Sequence, residues 1–224
     1  MSSPKIKICG LTRRVDALHA AEAGADYLGV VLVPGTPRAR TPEEAREILA
    51  AASRPGVIVV SDLGLSQLQG AAEQAGASVI QLHGEESPEL AFGLRKGGGW
   101  KVWKALRVRS EADVLEGFSR FDGAVDGFLL DAWHPRKKGG TGRSFSWPGV
   151  AEVRESLPRG AILVAAGGLG PKNVREAVRH LRPHVVDVSS GVERSPGIKD
   201  PRRVEAFIRE VQEAGNDLAI DGGP

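Results

Sequence analysis

Along the 224 residues, short apolar runs rich in β-branched residues alternate with longer stretches whose apolar positions recur every three to four residues. Eight runs read as strands: KIKIC (5–9), DYLGVVLV (26–33), VIVVS (57–61), VIQL (79–82), WKVWKAL (100–106), GFLLD (127–131), AILVA (161–165) and VVDVS (185–189). The stretches between them carry helix signals. In TPEEAREILAAA, Thr41 is placed to cap, Pro42 to open the first turn and Glu44 to complete a capping box. Ser87 and Pro88 repeat the logic in SPELAFGLRK, and Pro171 and Pro201 stand at the starts of GPKNVREAVRHL and DPRRVEAFIREVQEA. EAGADYLGV and QAGASVIQL both read as a helix end, a glycine cap and a strand.

Strict β-then-α alternation predicts a parallel sheet with right-handed crossovers. Eight units in about 215 residues point to a closed (β/α)8 TIM barrel, a single domain over residues 1–214, although an open doubly wound sheet produces nearly the same string. The ending, EAGNDLAIDGGP, loses helical periodicity, so residues 215–224 are expected to form a disordered tail.

Composition narrows the class. Hydrophobic content of 41% with 26% charged residues is that of a globular protein, not a disordered one. A net charge of +2, from 30 basic and 28 acidic residues, gives no general attraction to nucleic acid or membrane, but leaves room for a local anion site. One cysteine, Cys9, rules out an internal disulfide and fits a reducing compartment. The N-terminus lacks the uninterrupted apolar stretch of a signal peptide and no run approaches membrane-spanning length, so a cytoplasmic protein is expected.

In a barrel of this type, chemistry sits at the C-terminal ends of the strands. Strand 7 is followed by Gly167-Gly168 and strand 8 by Ser189-Ser190-Gly191, small residues that let a ligand approach backbone N–H groups. Loops after strands 7 and 8 are the recurring phosphate site of such barrels, so a phosphorylated small molecule is the expected partner. Parity places Lys5, Lys7 and Cys9 on one face of strand 1, and Val185, Asp187 and Ser189 on one face of strand 8. Strands 1 and 8 become neighbours only if the barrel closes. Closure would pair Lys7 with Asp187 just below Cys9, which neither charge could forgo if buried. Asp131 ends strand 6, on the face of Leu129; alone it reads equally as a turn or capping residue. Arg38 is either a surface arginine or a bidentate grip for a carboxylate. Gln81 and His83 share a face of strand 4, where the histidine reads as a packed rim residue as readily as a reacting one. Trp103 and Trp133 read as packing.

Taken together, KICGLT, the arginine of TPRAR before TPEEA, QLHGEE, LLDAW…GGTGRSFSW, GGLGPKNV and VDVSSGVERSPGIKD resemble the phosphoribosylanthranilate isomerases of tryptophan biosynthesis, in register from Lys5 to about Ala214. The resemblance implies an Amadori rearrangement of N-(5′-phosphoribosyl)anthranilate with no metal or cofactor, by a monomer or homodimer. It implies Cys9 as general base and Asp131 as general acid. Arg38 would hold the anthranilate carboxylate, and Gly167, Gly168, Ser189, Ser190 and Gly191 the phosphate. Lys7, Gln81, His83, Asp187 and, in GGTG, Gly142 would complete the substrate contacts. A free thiol of pKa ~8.5 is mostly protonated at pH 7, so Lys7 is expected to make Cys9 more acidic. Asp131 needs the opposite shift, from burial in a half-apolar pocket or from a nearby anion. Strand 3 ends in Ser61-Asp62, outside the family pattern, and the loop after strand 2 lacks an aromatic partner for the aryl ring. The basic AWHPRKKGGTG segment reads either as a lid or as an exposed loop. The rival readings are another phosphosugar barrel enzyme and a non-catalytic module that binds a phosphorylated metabolite.

Overall fold

The computed structural model describes residues 3–132 and 152–221. Eight parallel strands close on one another in chain order: β1 Lys5–Ile8, β2 Tyr27–Val31, β3 Gly56–Val60, β4 Val79–Leu82, β5 Lys101–Val108, β6 Gly127–Ala132, β7 Ile162–Ala166 and β8 Val185–Val188. All eight predicted strands are present, and the closed barrel replaces the open-sheet alternative. Closure is made by β1 on β8, with Lys7 opposite Asp187 in register.

The crossovers include α1 Arg14–Ala23, α2 Pro42–Leu49, α3 Leu65–Ala75, α4 Pro88–Gly97, α5 Glu111–Arg120 and α6 Val174–Leu181, and α7 Pro201–Asp221 follows the last strand. Between β6 and β7 the described residues hold a 3₁₀ turn, Glu152–Ser156. The helix starts follow local chemistry. Thr41 accepts from the Glu44 N–H while the Glu44 carboxylate accepts from the Thr41 N–H, the expected reciprocal cap. Ser87 caps α4. Gly24 and Gly76 end α1 and α3 in the left-handed conformation that glycine tolerates best.

Strand parity divides the core in two. Ile6, Ile8, Leu28, Val30, Ile58, Ile80 and Leu82 face the helices within the larger apolar shell. Val57, Val79, Trp103, Ala105, Leu129, Val164, Ala166 and Val185 fill the barrel interior. Trp103 packs edge-on to Tyr27 with centroids 5.3 Å apart, plugging the barrel below the site as a packing residue. Trp133 and Gly142 lie outside the described residues.

The last helix runs past Ala214 to Asp221, beyond the boundary read from the sequence. Its extra turns are tied down: Arg179 lies 3.0 Å from Asp217, Arg175 reaches the same carboxylate at 3.8 Å, and Leu218 packs on the core. No described helix is long and apolar enough to cross a membrane.

Candidate active site

At the C-terminal ends of the strands lies a cavity of about 350 Å³, and Cys9, Arg38, His83, Asp131, Gly168 and Ser189 are among its walls. This is the end of the barrel where strand parity and loop chemistry put the candidate residues.

Cys9 leaves the end of β1 but stays tethered on both sides. Its N–H donates to the Val188 carbonyl of β8 at 2.8 Å, and the Leu11 N–H two residues on donates to the Gly29 carbonyl of β2. Below it, Lys7 is fully buried and donates from Nζ to Asp187 Oδ1 at 3.0 Å and to Gln81 Oε1 at 2.9 Å. The pair predicted from parity is therefore made. A charge so deep is tolerated because each of those bonds replaces a lost water. Burial, the largest influence on Cys9, pushes its thiol up; the Lys7 ammonium pulls it down, and the Asp187 carboxylate pushes it up again. The outcome is a thiol less acidic than a free one, which corrects the expectation that Lys7 alone would make it more acidic: desolvation outweighs the neighbouring cation. Lys7 itself is raised, because Asp187 and Cys9 together overcome the desolvation that lowers it.

Across the mouth, Asp131 ends β6 beside Leu129 on the inward face, and its Oδ2 lies 3.4 Å from His83 Nε2. Its side chain keeps 36% of its exposure, so the half-apolar burial expected for it is not reached among the described residues. His83 meets Gln81 through Nδ1 at 3.1 Å. The buried Gln81 is thus shared between Lys7 and His83.

The rim is organised by charge. Arg38 donates from Nε and Nη2 to the two carboxylate oxygens of Glu193 at 2.8 and 2.5 Å, a fork-to-fork pair. Lys199 adds a bond to Glu193 Oε1 at 2.9 Å and another to the Ser189 carbonyl at 3.0 Å. Burial pushes the Glu193 carboxyl up, but the Arg38 bond and the Lys199 charge overcome it and hold it below the usual carboxylate range. The arginine expected to grip a substrate carboxylate is thus held through Nε and Nη2 by Glu193, and it lines the cavity. Gly10 makes room for this clasp: a Cβ there would stand 2.6 Å from Arg38 Cδ and 2.7 Å from Ser189 Oγ.

The two small-residue loops come together as expected. Gly167 and Gly168 take φ of +85° and +65°, which side chains resist. Asn173 clamps that loop, accepting from the Gly170 N–H at 2.8 Å and donating to the Gly168 carbonyl at 3.0 Å. Gly191 does not line the cavity; any Cβ there would collide with the Leu169 carbonyl, so its part is to let the β7 and β8 loops close on each other. Lys7 likewise lies under the cavity floor, its ammonium spent on Asp187 and Gln81, so it is corrected from a substrate contact to a support. Asp187, Gln81, His83, Ser189 and Ser190 do reach the cavity wall.

Four contributors escaped the sequence reading: Glu193 and Lys199 behind Arg38, Asn173 behind the glycine loop, and Gly29. A Cβ at Gly29 would sit 2.9 Å from Cys9 Sγ and 3.1 Å from Lys7 Cε. A glycine inside a strand pattern is a signal for such close approach, and Gly29 carried it.

Comparison with known proteins agrees with this geometry. A family model described as N-(5′phosphoribosyl)anthranilate (PRA) isomerase matches residues 6–210. The N-(5′-phosphoribosyl)anthranilate isomerase of Pelobacter propionicus is 41% identical over 217 residues, covering 95% of this chain and 98% of its own. That of Azotobacter vinelandii is 42% identical over 218 residues, covering 96% and 100%. Among solved structures, the Thermotoga maritima phosphoribosyl anthranilate isomerase superposes with a TM-score of 0.82 at 35% identity, covering 94% of this chain and 99% of that one. A phosphoribosyl anthranilate isomerase bound to reduced 1-(o-carboxyphenylamino)-1-deoxyribulose 5-phosphate superposes with a TM-score of 0.80 at 33% identity and the same coverage. The chain belongs to the N-(5′-phosphoribosyl)anthranilate isomerase family.

Proposed function

We propose that Cys9 and Asp131 divide the base and acid work of N-(5′-phosphoribosyl)anthranilate isomerisation between opposite walls of the barrel mouth. The reaction is an aldose–ketose isomerisation, an intramolecular oxidoreduction in tryptophan biosynthesis, yielding 1-(2-carboxyphenylamino)-1-deoxyribulose 5-phosphate. A proton delivered to the ring oxygen breaks its bond to the first sugar carbon, leaving a hydroxyl and a protonated imine whose aryl nitrogen keeps its hydrogen. Removal of the proton on the second carbon gives an enolamine. Transfer of a proton from that carbon's hydroxyl to the first carbon then gives the ketone. One acid and one base serve these steps, each typically worth 10²–10⁴-fold.

Asp131 supplies the ring-oxygen proton and Cys9, as thiolate, takes the proton from carbon. The observation that carries this assignment is the placing of the two groups on one cavity wall set, with the thiol over a buried cation and the carboxyl beside an imidazole. Arg38 holds the anthranilate carboxylate. The β7 and β8 loops take the phosphate at Gly167, Gly168, Ser189 and Ser190, and Gly142 joins the substrate contacts from outside the described residues. The enzyme acts as a monomer or a homodimer. A single cysteine, buried in the site, supports a cytoplasmic setting.

The test is loss of the fluorescent substrate in Cys9→Ser and Asp131→Asn. Each variant is expected to lose at least 10²-fold in kcat with its fold intact. Undiminished turnover in both would overturn the assignment.

A further inference from the structure

A line of contacts joins the two walls, from Asp187 through Lys7, Gln81 and His83 to Asp131. Donor and acceptor identities fix the direction of each link. An ammonium only donates, so the Gln81 atom that meets Lys7 must be its oxygen. The amide nitrogen therefore faces His83, and because an amide nitrogen only donates, His83 Nδ1 must accept. A neutral imidazole with an accepting Nδ1 carries its proton on Nε2, the atom 3.4 Å from Asp131 Oδ2. Contacts of this length in ligand-free sites commonly tighten when the substrate arrives.

We propose that Gln81 and His83 are positioning residues: Lys7 orients Gln81, Gln81 fixes the His83 tautomer, and the His83 Nε2–H holds Asp131 by one oxygen. The consequence concerns where the acid's own proton sits. With Oδ2 engaged by a donor, the acid form of Asp131 carries its proton on Oδ1, so a single oxygen presents it to the sugar ring. Buried charge on the base wall thereby sets the geometry of the acid on the other. Lys7 is a suitable anchor because it is fully buried, paired with Asp187 and held in the ammonium form. This inference rests on Asp131 being the acid.

Two measurements test it. Nitrogen-15 NMR of the ring of His83 in the wild-type protein is expected to show the Nε2–H tautomer alone. In Gln81→Leu, a near-isosteric change that removes the donor to Nδ1, a mixture of tautomers is expected. In the isomerase assay, His83→Phe is expected to lower kcat by about 10–100-fold with KM within about twofold, and His83→Gln, which keeps a donor of similar reach, to recover most of that loss. An Nδ1–H tautomer in the wild-type protein would overturn the proposal. So would a His83→Phe enzyme of normal kcat alongside an inactive Asp131→Asn. If Asp131→Asn itself turned over normally, the acid assignment would fall and this inference with it, and the intact Asp131→Asn rate would tell that failure apart.

Discussion

On the β1–β8 wall of the barrel mouth the reacting group is sunk: Cys9 is 5% exposed and stands over a fully buried lysine paired with an aspartate. On the β4–β6 wall, Asp131 keeps 36% of its side-chain exposure and touches an imidazole that is itself 31% exposed. The buried wall gains fixed geometry, since Lys7 has two protein partners and nowhere to move, but its desolvation works against forming a thiolate. The open wall spends little on desolvation and leaves its carboxyl accessible to a ring oxygen. A base that must meet one carbon–hydrogen bond gains from rigidity. An acid that must meet an oxygen on an arriving sugar gains from access.

The largest effects should come from the walls' reacting groups, as set out for Cys9→Ser and Asp131→Asn. The next should come from the buried pair. Asp187→Leu leaves the Lys7 ammonium without its counter-charge and is expected to cost about 3–5 kcal/mol in denaturant unfolding, whereas Lys7→Met with Asp187→Leu should recover most of that stability. If the single and double variants were equally unstable, the pair would not be the element that holds this wall. On the β4–β6 wall the buried pair is Lys104 with Glu86, of which His83 is no member, so His83→Phe should change stability by less than about 1 kcal/mol.

Smaller effects are expected around the walls. Glu193→Gln removes the charge from the Arg38 clasp and should raise KM several-fold with kcat little changed, the signature of lost uniform binding. A fall in kcat alone would place Arg38 in the chemistry instead. Gly29→Ala pushes a methyl against Cys9 Sγ and Lys7 Cε and should cost about 1–3 kcal/mol by overpacking.

The smallest effect is in pH. Burial raises the Cys9 thiol, so the folded state favours its protonated form, while the unfolded thiol ionises near ~8.5. Above that value the unfolded state releases the proton first, and stability falls as pH rises toward the folded pKa. The Tm of the wild-type protein should therefore drop more steeply than that of Cys9→Ser above about pH 8.5. Parallel curves would mean that the thiol is not desolvated.

Much of this contrast was legible in the sequence. Period-two alternation put Lys7 and Cys9 on the inward face of β1 and Asp187 on that of β8, and closure of eight units did the rest. Asp131 and His83 could be placed at strand ends for the same reason. The Arg38–Glu193–Lys199 clasp could not, because Arg38 lies in the loop after β2 while Glu193 and Lys199 lie in two short antiparallel strands after β8, Glu193–Ser195 and Ile198–Lys199, where the barrel's period does not operate. The direction of the Cys9 shift was misread because adjacency shows the neighbouring cation and hides the depth of burial. EAG makes the same point about helix ends. At 22–24 it ends α1 with a left-handed Gly24; at 213–215 it lies inside α7, where ion pairs to α6 carry the helix onward and Gly215 gives room to Ser3. Local sequence proposes a stop, and tertiary contacts decide whether it is taken.

The central claim is that ring opening and carbon deprotonation are done by different walls. Single-turnover reactions quenched with borohydride, which reduces the open-chain imine to a stable amine, separate the two steps. Cys9→Ala should accumulate the trapped imine faster than substrate alone in buffer, because Asp131 still opens the ring and nothing removes the carbon-bound proton. Asp131→Asn should trap no more than buffer does. Equal trapping by the two variants, or trapping by Asp131→Asn alone, would contradict the division of labour.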